Sequence, residues 1–453
     1  MGRTEQNRTR ILEAPVGKTL AELTVPMIFG TLSLVLYNLA DAFFVGQLGK
    51  EQLAAMSFTF PVVLAINSLS QGIGVGTSAA VSRALGERDS FRVHRLATDS
   101  LFLGILIIAF GVAVGIATWK PLFFLLGARD KVLEYIGDYM QIWYFGMVFV
   151  VVPMIGNNTL RATGDTKIPG LIMILGAVVN FVLDPILIFG MGPLPAFGIK
   201  GAAAATLIGR GCTFAASIYV LAVRERLLSI EIPGMKDVWR SWRDILYVGI
   251  PDAGARMIIP FGQGIITRIV AGYGAGAIAG YGVATRIEFF SLAALSALSS
   301  VIGPFVGQNI GAGQKERVKE SFKISLKFSI FLGTSLWFVY FFFAERISGL
   351  FNQDPETILS ASLYLKIVSL VFAAHGFFMV VNAGLNVLKY PFMASALCVL
   401  ELFGLAIPFS ILGSHYWGLT GIFFAISASY LIIGVTAWLA INRALEPAKS
   451  NKF

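Results

Sequence analysis

The sequence predicts an all-α polytopic membrane protein, with twelve transmembrane helices in two pseudo-twofold-related six-helix lobes around a central cavity. Three observations predict it. Of the 453 residues, 56% are hydrophobic and 13% charged, with a mean hydropathy of +0.76. A soluble domain cannot hide that much apolar surface, so the bilayer must act as solvent. Apolar runs of helical length follow one another throughout, and the second half of the chain repeats the first.

The elements come in this order. Residues 1–18 (MGRTEQNRTRILEAPVGK) are polar and basic and carry no cleaved-signal pattern. Twelve spans follow, at roughly 20–46, 52–82, 96–119, 132–158, 168–190, 199–223, 245–271, 277–307, 322–344, 357–387, 391–413 and 418–442. Most of the 35 Lys and Arg then fall in the termini and the alternate loops. That positive-inside asymmetry puts both termini in the cytoplasm of an inner-membrane protein. The net charge of +9 therefore belongs to topology, and no nucleic-acid partner is expected.

The repeat divides the chain into an N-lobe at 1–223 (helices 1–6), a cytoplasmic linker at 224–244 and a C-lobe at 245–453 (helices 7–12). A shift of 225 positions lays Pro26 on Pro251, Gly49 on Gly274 and Gly86 on Gly311. At a slightly smaller shift, the GIKG at 198–201 corresponds to the GLTG at 418–421. Parallel repeats of this kind build transporters whose two bundles rock about a central site. The linker contains Pro-Gly and ends in an amphipathic segment.

Carboxylates inside apolar helices are the functional signal. Asp41 lies in LYNLADAFFV and Asp184 in VVNFVLDPILIF, where a charge costs roughly 3 kcal/mol on insertion scales. At about 1.5 Å rise per residue, Asp41 sits about 30 Å and Asp184 about 24 Å from the inner starts of their spans. Thr206 and Tyr139 lie about 12 Å and 10 Å from the outer face by the same rise. Asn180 joins them, one turn before Asp184 on the same face. Four helices thus bring polar groups to the outer half of the membrane, and their oxygen atoms suit a proton or Na⁺ equally well. Pro26 and Pro185 each free a carbonyl and invite helix bending.

The second lobe lacks this pair. It offers Asp252 with Arg256, then Glu288 and Glu401 as candidates for a second functional carboxylate. Neither the cysteines, Cys212 and Cys398, nor the three histidines have metal-site spacing. No metal is expected beyond Na⁺ at Asp41, Asn180, Asp184 and Thr206, and no cofactor. No catalytic triad supports an enzyme.

Taken together, VPMIFGTLSLVLYNLADAFFVGQLG, LRATGDTK, AVVNFVLDPILIFGMG and GIKGAAAATLIG resemble the multidrug and toxic compound extrusion (MATE) family. The likeness runs from about Ala21 to Arg443, and its NFVLDP run and first-helix Asp resemble the DinF-like and archaeal branch. The resemblance implies a secondary-active multidrug efflux antiporter that exports drug-like, often cationic, compounds by alternating access against entry of H⁺ or Na⁺. It also implies a monomer, with Asp41, Asn180, Asp184 and Thr206, beside Tyr139, as the coupling site and bending near Pro26 as the switch. The alternative is a lipid-linked precursor flippase of the same superfamily, which would want a more cationic cavity.

Overall fold

The computed structural model describes residues 3–446 except 49, 126, 191–194, 230, 232 and 233. Within that range the side chains of 38, 39, 41, 42, 46, 50–54, 56, 57 and 130 lie outside the described residues. Among the described residues there is no strand. The first half forms α1 (Arg3–Glu13), α2 (Val16–Gly46), α3 (Lys50–Gly86), α4 (Ser90–Leu125), α5 (Asp130–Phe145), α6 (Met147–Ala162), α7 (Lys167–Phe189) and α8 (Ile199–Tyr219). The second forms α9 (Met235–Ala271), α10 (Ala275–Ser291), α11 (Ala293–Gly311), α12 (Lys315–Gly349), α13 (Pro355–Val368), α14 (Phe372–Val387), α15 (Pro391–Val399) and α16 (Ile407–Leu445).

Among the described residues ten spans are long and apolar enough to cross a membrane, counting each bent pair as one, and the expected twelve include α9 and divide Pro391–Leu445 in two. Two are bent pairs: α5 with α6, turned by 49°, and α10 with α11, turned by 47°. The tenth joins α13 to α14 through a 3-10 turn at Ser369–Val371. The eleventh joins α15 to α16 through a π-turn at Leu400–Ala406, and Gly418 (φ 60°, ψ −141°) separates it from the twelfth inside α16. Neither Pro26 nor Pro185 ends its helix: α2 and α7 run through them. A missing N–H frees one carbonyl, and a helix tolerates this where neighbours still pack around it.

The two GxxG strings do the same work in both copies. Gly198 (φ 56°, ψ −131°) matches the backbone of Gly418, a left-handed conformation that costs glycine little. The second glycine of each string removes a clash. A Cβ on Gly201 would lie 2.2 Å from the Leu187 carbonyl oxygen, and one on Gly421 would lie 2.0 Å from that of Gly413.

Contacts divide the chain into two compact units, residues 1–10 with 26–253 and residues 11–25 with 254–453. These are not the contiguous halves of the expected division. The start of α2, up to Val25, counts with the second unit, and α9 counts with the first as far as Ala253. Both exchanges fall beside the repeated proline, at Pro26 in one copy and just past Pro251 in the other. Glycines explain why α9 begins in the first unit. A Cβ on Gly72 would lie 2.4 Å from the Gly249 oxygen, and one on Gly76 would lie 2.1 Å from the Ile245 oxygen. Only glycine, one turn apart, lets those backbones meet so closely.

The first unit's core gathers Ile136, Met140, Met147, Val151 and Ile155 with Leu96 and Ile245. The second unit's core gathers Tyr281, Leu295, Tyr364, Phe372, Phe423 and Ile426. Leu125, Phe110 and Phe342 are among the exposed apolar side chains, consistent with a surface that meets lipid.

Candidate functional site

The first unit holds a buried polar group between α7 and α8. One turn of α7 separates Asn180 from Asp184, so their side chains share a face. Both are fully buried, at 1% and 0% exposed. Asn180 Nδ2 donates to Asp184 Oδ1 at 3.3 Å and lies 3.5 Å from Thr206 Oγ1 on α8. Asn180 Oδ1 is buried and accepts no hydrogen bond among the described residues. The close approach that holds α8 here is the Gly201 contact, five residues before Thr206.

Of the residues named from sequence, the structure therefore brings Asn180, Asp184 and Thr206 together. Tyr139 is buried in the core of the same unit. Asp41 sits in α2, but its side chain lies outside the described residues. Pro26 faces α7: a Cβ on Gly170 would lie 2.9 Å from the Pro26 oxygen, and one on Gly30 would lie 3.0 Å from Gly170 Cα. Glycine thus seats α2 against α7 at the proline.

Sequence reasoning missed Tyr37. Its hydroxyl donates to Thr206 Oγ1 at 3.5 Å, and the Arg210 guanidinium carbon lies 5.3 Å from its ring centroid. The signal was available, since Tyr37 precedes Asp41 by one helical turn.

A second buried polar group occupies the second unit, and it joins both candidates named there. The Glu288 side chain on α10 accepts from Tyr364 Oη at 2.5 Å and from Tyr430 Oη at 3.0 Å. Glu401 pairs with His375 Nδ1 at 3.0 Å. The His375 ring stacks on Tyr430, 4.0 Å between centroids and 21° from parallel. Two carboxylates on two helices are thus linked through one imidazole and one phenol. The sequence marked the carboxylates but not the aromatic groups between them. An ionisable side chain at membrane depth pairs with another, so His375 was the missed pointer. Asp252 is buried, whereas Arg256, Arg268 and Arg286 are exposed.

Chemically, the first site offers a carboxylate, a carboxamide and two hydroxyls in a dry setting, a set that holds a proton or a small hard cation. Among the described residues no group of three or more His, Cys, Asp or Glu side chains forms a metal cluster.

The MatE family model matches residues 26–186 and 251–412, two segments whose starts are the repeated prolines. An "FAD transporter" of Shewanella oneidensis is 35% identical over 98% of both chains. The multidrug export protein MepA of Staphylococcus aureus is 25% identical over 95% of this chain and 94% of its own. Among solved structures, the Vibrio cholerae MATE transporter VcmN in the bent form superposes with a TM-score of 0.89. It is 30% identical and covers 95% of this chain and 97% of its own. These relatives are transporters, not enzymes, and the twelve-helix, two-lobe architecture is theirs. The chain belongs to the MatE family of multi-pass membrane transporters.

Proposed function

We propose that this chain is a secondary-active antiporter of the cell membrane, with both termini cytoplasmic. It exports organic, often cationic, compounds in exchange for H⁺ or Na⁺. Asp184, Asn180 and Thr206 form the coupling site with Asp41 and Tyr139, and α2 bends about Pro26 between states. The observation that carries this reading is Asp184: a carboxylate with no exposed surface, inside an apolar helix, held among oxygen and amide groups. Such residues mark ion and proton pathways in membrane bundles. Binding a cation there and binding a drug favour different states of one cycle, which couples the two fluxes. Glu288 and Glu401 are the second lobe's candidates for a further protonatable site.

The test is purified protein in vesicles carrying a fluorescent cationic dye, under a pH gradient alone and then a sodium gradient alone. One gradient should drive dye transport, and Asp184→Asn should cut that transport at least tenfold while the protein melts as the native one does. Undiminished transport by Asp184→Asn removes the coupling role. A second reading of the cargo has one specific support, the Shewanella oneidensis relative named an FAD transporter. FAD flux without dye flux in the same vesicles would favour an anionic dinucleotide as cargo.

A further inference from the structure

The first unit carries a cavity of about 1080 Å³ that transport leaves without a task. It is walled by α1, the end of α3, the start of α4 and the segment that follows α8. Five arginines line it: Arg3, Arg8, Arg88, Arg224 and Arg226. Its three carboxylates are already engaged. Glu5 accepts from Arg8 at 3.0 Å, and Asp89 Oδ1 accepts from the Arg92 amide at 2.9 Å. Glu225 lies 3.5 Å from Arg224 Nε and accepts from Thr4 Oγ1 at 3.5 Å. Arg8 is committed as well: it is buried and donates to the carbonyls of Leu85 and Gly86 at 2.7 and 3.5 Å.

Arg88 and Arg226 differ from the rest. Both are exposed, and neither side chain makes a hydrogen bond or ion pair among the described residues. Both also hold left-handed backbone, with φ of 61° and 51°, and only Lys389 shares that conformation among the described non-glycine residues. Glycine would sit there without strain. Arginine at two strained positions on one cavity, with neither guanidinium used by the fold, is the mark of a site whose ligand lies outside the chain. The candidate spans end at Gly86, begin at Ser90 and end at Arg224 around this cavity. The apolar runs expected at 52–82 and 96–119 stop short of the cavity, so a lipid phosphate is within reach of it as well as a soluble one.

We propose that the cavity binds a phosphate ester, with Arg88 and Arg226 as the two groups that contact it. The planar guanidinium matches phosphate oxygens in pairs. The volume is ample for a headgroup or a small phosphate compound. The same chemistry is offered by an anionic phospholipid headgroup and by a soluble phosphate ester. The site is independent of the coupling site, so the test reads binding and not transport.

The full-length protein in neutral detergent is titrated with phosphatidylglycerol, with phosphatidylcholine and with inorganic pyrophosphate, followed by native mass spectrometry and thermal melting. At least one of the two anionic probes should bind tenfold or more tightly than phosphatidylcholine. Preference for phosphatidylglycerol identifies a headgroup, and preference for pyrophosphate identifies a soluble ester. The double variant R88G/R226G should lose tenfold or more of that affinity. It should melt at or above the native temperature, because glycine relieves the backbone at both positions. Native affinity in R88G/R226G, or no preference for either anionic probe, overturns the proposal.

Discussion

The helix pair that holds the buried carboxylate is set by one glycine, and Gly201→Ala tests this. A Cβ at residue 201 would stand 2.2 Å from the Leu187 oxygen, 2.5 Å from its carbon and 2.9 Å from the Ile188 nitrogen. The first distance falls 1.2 Å short of the 3.4 Å at which ordinary contact begins. All three atoms are backbone, so no side chain can swing aside and α8 itself must retreat from α7. Forced overpacking of this kind costs about 1–3 kcal/mol. The retreat also acts on the site, because Thr206 lies five residues along α8 and its contact with Asn180 is already 3.5 Å. Gly211→Ala is the matched control on the same helix, since nothing lies within 4 Å of its Cβ. That change should stabilise by about 0.5–1 kcal/mol through helix propensity alone. Thermal melting in detergent should separate the two variants in opposite directions, and gradient-driven flux in vesicles should fall only for Gly201→Ala. If both variants melt and transport alike, close packing of α7 on α8 does not position the site.

Gly421→Ala brings a Cβ to 2.0 Å from the Gly413 oxygen and should destabilise the second lobe by about 1–3 kcal/mol, read as a lower melting temperature. Tyr364→Phe removes the 2.5 Å donor to the buried Glu288 and should cost about 1–3 kcal/mol. A melting temperature unchanged from native would show that Glu288 does not depend on that hydroxyl. Glu225 adds a pH dependence. Burial, then the neighbouring Asp165, pushes its carboxyl above the ordinary 4.5, outweighing the opposing Arg3 and Thr4. The folded state therefore keeps its proton to higher pH than the unfolded state does. Stability should decline as pH rises from about 4.5 through the raised value. Glu225→Gln should remove that decline, and melting curves across pH that still coincide with native ones would refute the assignment.

Much of this fold is legible along the chain, because membrane depth is written in composition and length. The offset of 225 found between Pro26 and Pro251 reappears as the two segments matched by the family model, 26–186 and 251–412. The GIKG and GLTG strings announce a turn and a close crossing, and Gly198 and Gly418 adopt nearly the same φ and ψ. Asn180 and Asp184 are legible as one face because an α-helix repeats every 3.6 residues. Thr206 was placed near them by depth alone. The same depth argument names Tyr139, which is buried in the core of the same unit.

By itself, the sequence determined that this protein lives in a bilayer, that it consists of two like-oriented copies, and where its costly polar residues lie along each helix. All three depend on local quantities: hydropathy, helical rise and the parity of span number. Tertiary structure alone decided that residues 11–25 join the second unit while 235–253 join the first. It also decided that His375 and Tyr430 lie between Glu401 and Glu288, and that Arg88 and Arg226 face one cavity. These are relations between helices far apart in the chain, set by how each is rotated and how closely backbones approach, and neither quantity leaves a period in the sequence.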